Sequence, residues 1–221
     1  MATVALIGAD GAGKTTVGRL LEQQDGLAVK YLYLGVNIEA SNHLLPTTRL
    51  ARWIKRRRGR HDDAGPPPDV RSIHRSEAQR SLAAKARSAG RLVNRIADEW
   101  YRQFVAWRYQ RRGFVVVFDR HYLADFASHD VRTDVELSLD RRIHGFLLRH
   151  LYPRPDLVVF LDAPPQVLLD RKGEGTLDDL ARRRVDYLEL AATSRRFERV
   201  DAARPIDAVV ADVCALVAGV R

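Results

Sequence analysis

Gly8, Gly13, Lys14 and Thr15 stand at the spacing G-x-x-x-x-G-K-[ST]. An apolar run, Val4-Ala5-Leu6-Ile7, leads into them, and the helical pattern of Val17, Leu20 and Leu21 follows. A polyphosphate is bound mainly by main-chain N–H groups, so a segment that holds one must curl with its amides inward. Glycine permits that curvature and close approach. Gly8, Ala9, Gly11, Ala12 and Gly13 would form the cradle, with Lys14 the cation for the β- and γ-phosphates. Thr15 would offer its hydroxyl to Mg²⁺, beside Thr16, and the helix beginning there points its positive dipole end at the anion. The pattern predicts binding of a nucleoside triphosphate.

Two further carboxylates end apolar runs. Asp119 follows Phe114-Val115-Val116-Val117-Phe118, and Asp162 follows Leu157-Val158-Val159-Phe160-Leu161. Such continuous runs are expected of parallel strands covered on both faces, and ligands of open α/β sheets sit beyond the strands' carboxyl ends. Asp119 is therefore placed as a Walker-B-like carboxylate near Mg²⁺, with an N-cap as the plainer alternative. Arg120, at the mouth of the site, suits a phosphate clamp, because its planar fork holds two oxygens at once.

The elements that must position these residues alternate along the chain. Strands are expected at Val4–Ile7, Ala28–Leu34, Phe114–Phe118, Leu157–Leu161 and Phe197–Val200. Helices are expected at about Lys14–Gln24, weakly at His43–Lys55, then over Ile73–Arg112 as one helix or two joined near Ser88-Ala89-Gly90. Others follow at Glu136–Tyr152, after Ala163-Pro164-Pro165, at Leu177–Arg196 and at Ile206–Val220. Strands alternating with helices imply a three-layer α/β fold around a mostly parallel five-stranded sheet. Between Arg56 and Val70 a basic run, Asp62-Asp63 and Gly65-Pro66-Pro67-Pro68 exclude a packed element and predict a mobile loop.

At 221 residues with 46% hydrophobic content, the chain has material for one sizeable core, so a single domain is expected. The sequence shows no signal peptide and no apolar run long enough to span a membrane, and it carries a single cysteine, Cys214, at helical spacing among valines. These features predict a cytoplasmic protein with a buried thiol. The net charge of +9 admits nucleic acid, lipid or a phosphorylated substrate. Its densest cluster, Lys55-Arg56-Arg57-Arg58-Gly59-Arg60, lies against the loop without a recognisable nucleic-acid module, so a phosphorylated small molecule is favoured over nucleic acid.

The glycine-lysine segment Gly8 to Thr16, Asp119-Arg120 closing a strand, Pro155-Asp156-Leu157-Val158-Val159-Phe160-Leu161-Asp162-Ala163-Pro164-Pro165, and Tyr187-Leu188-Glu189-Leu190-Ala191 after an arginine-rich stretch carry a resemblance. The chain resembles the thymidylate kinase family of P-loop nucleoside monophosphate kinases. That resemblance implies a P-loop NTPase fold with a short arginine-rich lid over about 171–184, ATP and Mg²⁺, and transfer of the γ-phosphoryl to a nucleoside monophosphate such as dTMP. It gives Asp10 a contact to the acceptor and to metal-bound water, and makes Arg120 a bridge between donor and acceptor phosphates. Arg171, Lys172 and some of Arg182, Arg183 and Arg184 become lid cations over ATP, with Arg183 the one assigned to it. A homodimer through the long helix is implied too, with Trp100 or Trp107 as anchors.

The chain also departs from the family's pattern. His121 and Ala124 replace the usual aromatic and serine, and Gly35-Val36-Asn37-Ile38-Glu39-Ala40 replaces Arg-Glu-Pro-Gly-Gly. Tyr33, Arg95, Trp100, His121, Tyr122 and Asp125 are the candidates for the rest of the acceptor half, with Asp10 and Arg120. His121, Asp125 and His129 share a helical spacing that suits metal ligands, but no fourth ligand completes them and the expected metal is the Mg²⁺ of ATP.

Three rival readings compete. The same fold could phosphorylate a hydroxyl of a nucleoside, sugar or specialised metabolite. A guanine-nucleotide switch is disfavoured because Asn37, Asn42 and Asn94 do not begin Asn-Lys-x-Asp. A basic NTPase acting on nucleic acid would use Lys55 to Arg60.

Overall fold

A computed structural model describes residues 2–34, 57, 82–121, 139–173 and 175–220. In chain order the described elements are β1 (Thr3–Ile7), α1 (Lys14–Glu22), β2 (Val29–Tyr33), α2 (Leu82–Arg111), β3 (Val115–Asp119), α3 (Leu139–His150), β4 (Leu157–Asp162), α4 (Pro165–Lys172), α5 (Leu177–Glu189), a 3₁₀ turn (Leu190–Thr193), β5 (Phe197–Asp201) and α6 (Ile206–Ala218). The strands form one five-stranded sheet in the order β2-β3-β1-β4-β5, and every pairing in it is parallel.

The apolar runs become the central strands. β3 and β4 are buried along their whole length, and β1 at every position after Thr3. Side chains alternate across a strand, and the core divides accordingly. Val115 and Val117 join a large cluster with Val17 and Leu21 of α1 and Val209, Val213 and Val217 of α6. Val116 and Phe118 pack instead with Leu32 and with Ala106 of α2. Helices thus cover both faces of the sheet, as the alternation of elements predicts.

Some expected boundaries change. The long apolar pattern is one continuous helix over its described part, with no junction near Gly90. The helix expected from Leu177 to Arg196 stops at Glu189. The hydroxyls of Thr193 and Ser194 both donate to the carbonyl of Leu190, closing the turn. The chain must then straighten, because Phe197 already pairs with Val158. The helix expected at His43–Lys55 lies outside the described residues, as does the loop over 56–70 apart from Arg57.

Candidate functional site

The β1–α1 turn folds as its glycines require. Gly8, Gly11 and Gly13 all have positive φ, at 149°, 89° and 87°. At two of them space is limiting as well as backbone conformation: a Cβ on Gly8 would lie 2.7 Å from the carbonyl oxygen of Leu161, and one on Gly11 would lie 2.9 Å from that of Leu168. The loop is therefore pressed against the end of β4 and against α4. Ala9 and Ala12 are buried beside it, and Gly13 caps α1, whose first residues are Lys14, Thr15 and Thr16. Lys14 is buried, and its ammonium donates to the carbonyls of Gly8 and Ala9 at 2.7 and 2.9 Å, which keeps the cation within the curl of the loop.

Asp119 ends β3 with its side chain fully buried. Its Oδ2 accepts from the hydroxyl of Thr15 and from that of Tyr31, each at 2.7 Å. Its Oδ1 is buried with no hydrogen-bond partner. Burial, the Asp119 charge and the hydrogen bond to it all push the Tyr31 phenol upward, so this hydroxyl stays a donor. Gly18 makes the arrangement possible: a Cβ there would lie 2.4 Å from the Tyr31 ring, so α1 meets β2 across a bare backbone.

Arg120, directly after β3, is the only described non-glycine residue with positive φ, at 57°. A side chain in that region carries backbone strain, which clusters at functional sites. The conformation turns its guanidinium onto the Asp10 carboxylate, to which it donates from Nη2. Arg183 of α5 approaches the other oxygen of Asp10 at 3.5 Å. Burial works to raise the Asp10 pKa, but the charges of Arg120, Lys14, Lys172 and Arg183 outweigh it and hold the carboxyl below its ordinary value. The P-loop, the tip of β3 and the arginine-rich helix therefore meet at one acid.

The other cations expected in a lid have different neighbours. Arg171 donates to the carbonyl of Ala202 at 2.8 Å and, more weakly, to that of Ala203, so it joins α4 to the turn after β5. Arg182 pairs with Asp179 on its own helix. Arg184 grips Asp162 with two hydrogen bonds, at 2.6 and 2.9 Å, and Arg199 of β5 approaches the same carboxylate at 2.7 Å.

Of the residues expected to face the acceptor, Tyr33 is buried at the end of β2, in register with Asp119. Arg95 is largely exposed and donates to Glu99 at 3.1 Å. Glu99 also accepts from Tyr152 at 2.7 Å and contacts His144 Nε2 at 2.9 Å. Burial would raise the Glu99 carboxyl, but His144, Tyr152 and Arg95 together hold it below the usual range. Trp100 is 43% exposed and packs on the Tyr152 ring. Arg102 pairs with Asp98 and donates to the carbonyl of Leu34, securing α2 to the end of β2. His121 is buried against Phe118, and burial pushes its pKa down to about 3, so it is a neutral imidazole. Tyr122, Ala124, Asp125 and His129 lie outside the described residues. Among the described residues no group of three His, Cys, Asp or Glu side chains is arranged to hold a metal ion.

These residues fit the groups that the glycine-lysine pattern implies. A curled loop with a buried ammonium suits a polyphosphate. A buried carboxylate oxygen without a hydrogen-bond partner, on an acid that also touches the Thr15 hydroxyl, suits a hard cation with oxygen ligands. Sequence reasoning assigned no role to Tyr31, Gly18, Glu99 or Arg199. Of these, Gly18 carried a signal, as a glycine inside a helical pattern with no turn to make.

The thymidylate kinase family model matches residues 93–213, more than half of the 221-residue chain. The matched stretch holds Asp119, Arg120, Asp162 and the arginines of α5, while the P-loop precedes it and stands on its own geometry. With that match and a parallel five-stranded sheet bearing a P-loop at its carboxyl edge, the chain belongs to the thymidylate kinase family and is an ATP-dependent kinase.

Proposed function

We propose that the enzyme moves the γ-phosphoryl of ATP to the phosphate of a nucleoside monophosphate such as dTMP, giving ADP and the nucleoside diphosphate. The observation that carries this reading is the convergence on Asp10. The loop acid, Arg120 from β3 and Arg183 from α5 meet there, on the same side of the molecule as Lys14. In this reading Gly8 to Thr16 hold the triphosphate, with Lys14 against its β- and γ-oxygens. Thr15 and Asp119 would hold Mg²⁺, which would supply neutralisation of the triphosphate's charge.

Arg120 spans the donor and acceptor phosphates, with Arg183 and Lys172 above the transferring group. An acceptor phosphate oxygen attacks the γ-phosphorus as the bond to the β,γ-bridging oxygen breaks, and ADP leaves with that electron pair. A phosphate acceptor arrives ionised, so the protein's work is alignment and charge stabilisation rather than proton abstraction. Asp10 keeps Arg120 and Arg183 directed at that point.

The acceptor's remaining contacts are assigned to Tyr33, His121, Tyr122 and Asp125 around the tips of β2 and β3, and to Arg95 and Trp100 on α2. The enzyme works as a homodimer through α2, where Val93, Trp100, Phe104 and Trp107 form an exposed apolar stripe at helical spacing. No described helix is long and apolar enough to cross a membrane, in keeping with a cytoplasmic enzyme. The test is to incubate the purified protein with ATP, Mg²⁺ and a panel of nucleoside monophosphates, nucleosides and phosphosugars. ADP release above the ATP-only background is expected with dTMP or another monophosphate. Transfer to a nucleoside or sugar hydroxyl alone would replace this reading with the rival one.

A further inference from the structure

Asp162 lies at the end of β4, one residue beyond the carbonyl that Gly8 abuts, and it is 3% exposed. Both its oxygens are taken up by guanidinium groups. Oδ1 accepts from Arg184 Nε, while Oδ2 accepts from Arg184 Nη2 and lies 2.7 Å from Arg199 Nε. Burial works to raise this carboxyl, but the two arginines hold it below the usual range, so it stays an anion. One side chain thus joins β4, β5 and α5.

Leu180, Arg184 and Tyr187 lie along one stripe of α5, at steps of four and three. Leu180 and Tyr187 are buried in the core, and Tyr187 packs on Phe160 with ring centroids 5.7 Å apart. Apolar contacts of this kind are non-directional and define a helix's rotation less sharply than paired hydrogen bonds do. The two-pronged Arg184–Asp162 pair is directional, because both prongs must meet their oxygens together. Holding both prongs at once would set the rotation of α5 about its axis. Successive helix residues are turned about 100° apart, so fixing Arg184 also fixes the direction of Arg183, which reaches Asp10 at 3.5 Å.

We propose that Asp162 is a positioning residue: by clasping Arg184 it docks α5 in the one orientation that brings Arg183 to the phosphoryl-transfer site. The catalytic half of this assignment rests on the kinase reading above, while the docking half does not. Arg199 completes the clasp from the neighbouring strand.

The test uses the full-length protein with Asp162→Asn, Arg184→Gln, Arg183→Ala and the Asp162→Asn/Arg183→Ala double variant. In the ligand-free protein, hydrogen exchange of the α5 amides is expected to accelerate in Asp162→Asn and Arg184→Gln, with α1 and the central strands unchanged. Unaltered α5 exchange overturns the docking, whatever the enzyme's acceptor proves to be. In steady-state turnover, Asp162→Asn is expected to lower kcat on the order of tenfold. Arg183→Ala should then cost much less in that background than in the wild type. A purely structural ion pair would leave the two losses multiplicative, and that result overturns the positioning role. If Asp162→Asn does not fold, Arg184→Gln carries the exchange measurement, and Arg184→Gln with the Arg184→Gln/Arg183→Ala double variant carries the turnover comparison. Absence of turnover in the wild type with every monophosphate refutes the kinase reading, and the exchange result still decides the docking.

Discussion

Tyr31, in the middle of β2, donates its hydroxyl to Asp119 at the tip of β3, 2.7 Å away and 88 residues later in the chain. The bond falls on the oxygen that also accepts from Thr15, so strand, P-loop helix and carboxylate are aligned by one acceptor. Tyr31→Phe keeps the ring against Gly18 and removes only the donor. A buried acceptor that loses a partner costs about 1–3 kcal/mol. For a protein of this size each kcal/mol lowers Tm by roughly 2–4 °C, which a thermal melt resolves. The Mg²⁺ concentration for half-maximal turnover should rise in the same variant.

Gly18→Ala tests the other side of the same contact. The added methyl would enter the Tyr31 ring, and overpacking of this kind costs about 1–3 kcal/mol. Chemical denaturation should show the loss, whereas an ordinary glycine-to-alanine change inside a helix would stabilise. A stabilised variant would mean that α1 and β2 are less closely apposed than described.

Arg120 allows strain and chemistry to be separated. Arg120→Ala should lower the rate by roughly 10² or more, as for loss of a group that stabilises the transition state. Arg120→Gly should be equally slow yet more stable than Arg120→Ala by about 1 kcal/mol, because glycine accepts a φ of 57° without cost. Near-normal turnover in either variant would remove the clamp from the proposed mechanism.

Lys14→Ala is expected to abolish turnover while the fold persists. The ammonium donates to two carbonyls of its own loop and ties no distant strand or helix through them, so circular dichroism should be unchanged as phosphoryl transfer is lost.

Glu99 ties α2 to α3 and gives stability a dependence on pH. Its folded pKa is depressed, so the folded state binds the proton less readily than the unfolded chain. Its contribution is therefore complete above the unfolded carboxylate range, near 4.3, and is lost as pH falls through the lower folded value. Glu99→Gln should destabilise by about 1–3 kcal/mol at neutral pH. The gap from wild type should close in acid, below about pH 4, when urea unfolding is followed across pH.

Much of the architecture was legible because it depends on patterns local in the chain. Period-two and continuous apolar runs mark strands, 3.6-residue periodicity marks helices, and Gly8, Gly13 and Lys14 announce a loop whose backbone few other residues could adopt. Asp119 and Asp162 could be located for the same reason, each being the first charge after a buried strand. The end of α5 is not legible in this way, since its helical pattern runs past Glu189 and only the pairing of Phe197 with Val158 requires the chain to straighten there.

What tertiary structure decided was partnership. Three adjacent arginines, Arg182 to Arg184, are indistinguishable as letters, yet one pairs within its helix, one meets Asp10 and one is clasped by Asp162. Charges in sequence have no direction. They acquire it when helix rotation and sheet order bring distant acids within a few ångströms of them. The same holds for Tyr31, a strand residue of ordinary composition until β2 lies beside β3 and its hydroxyl meets a buried carboxylate.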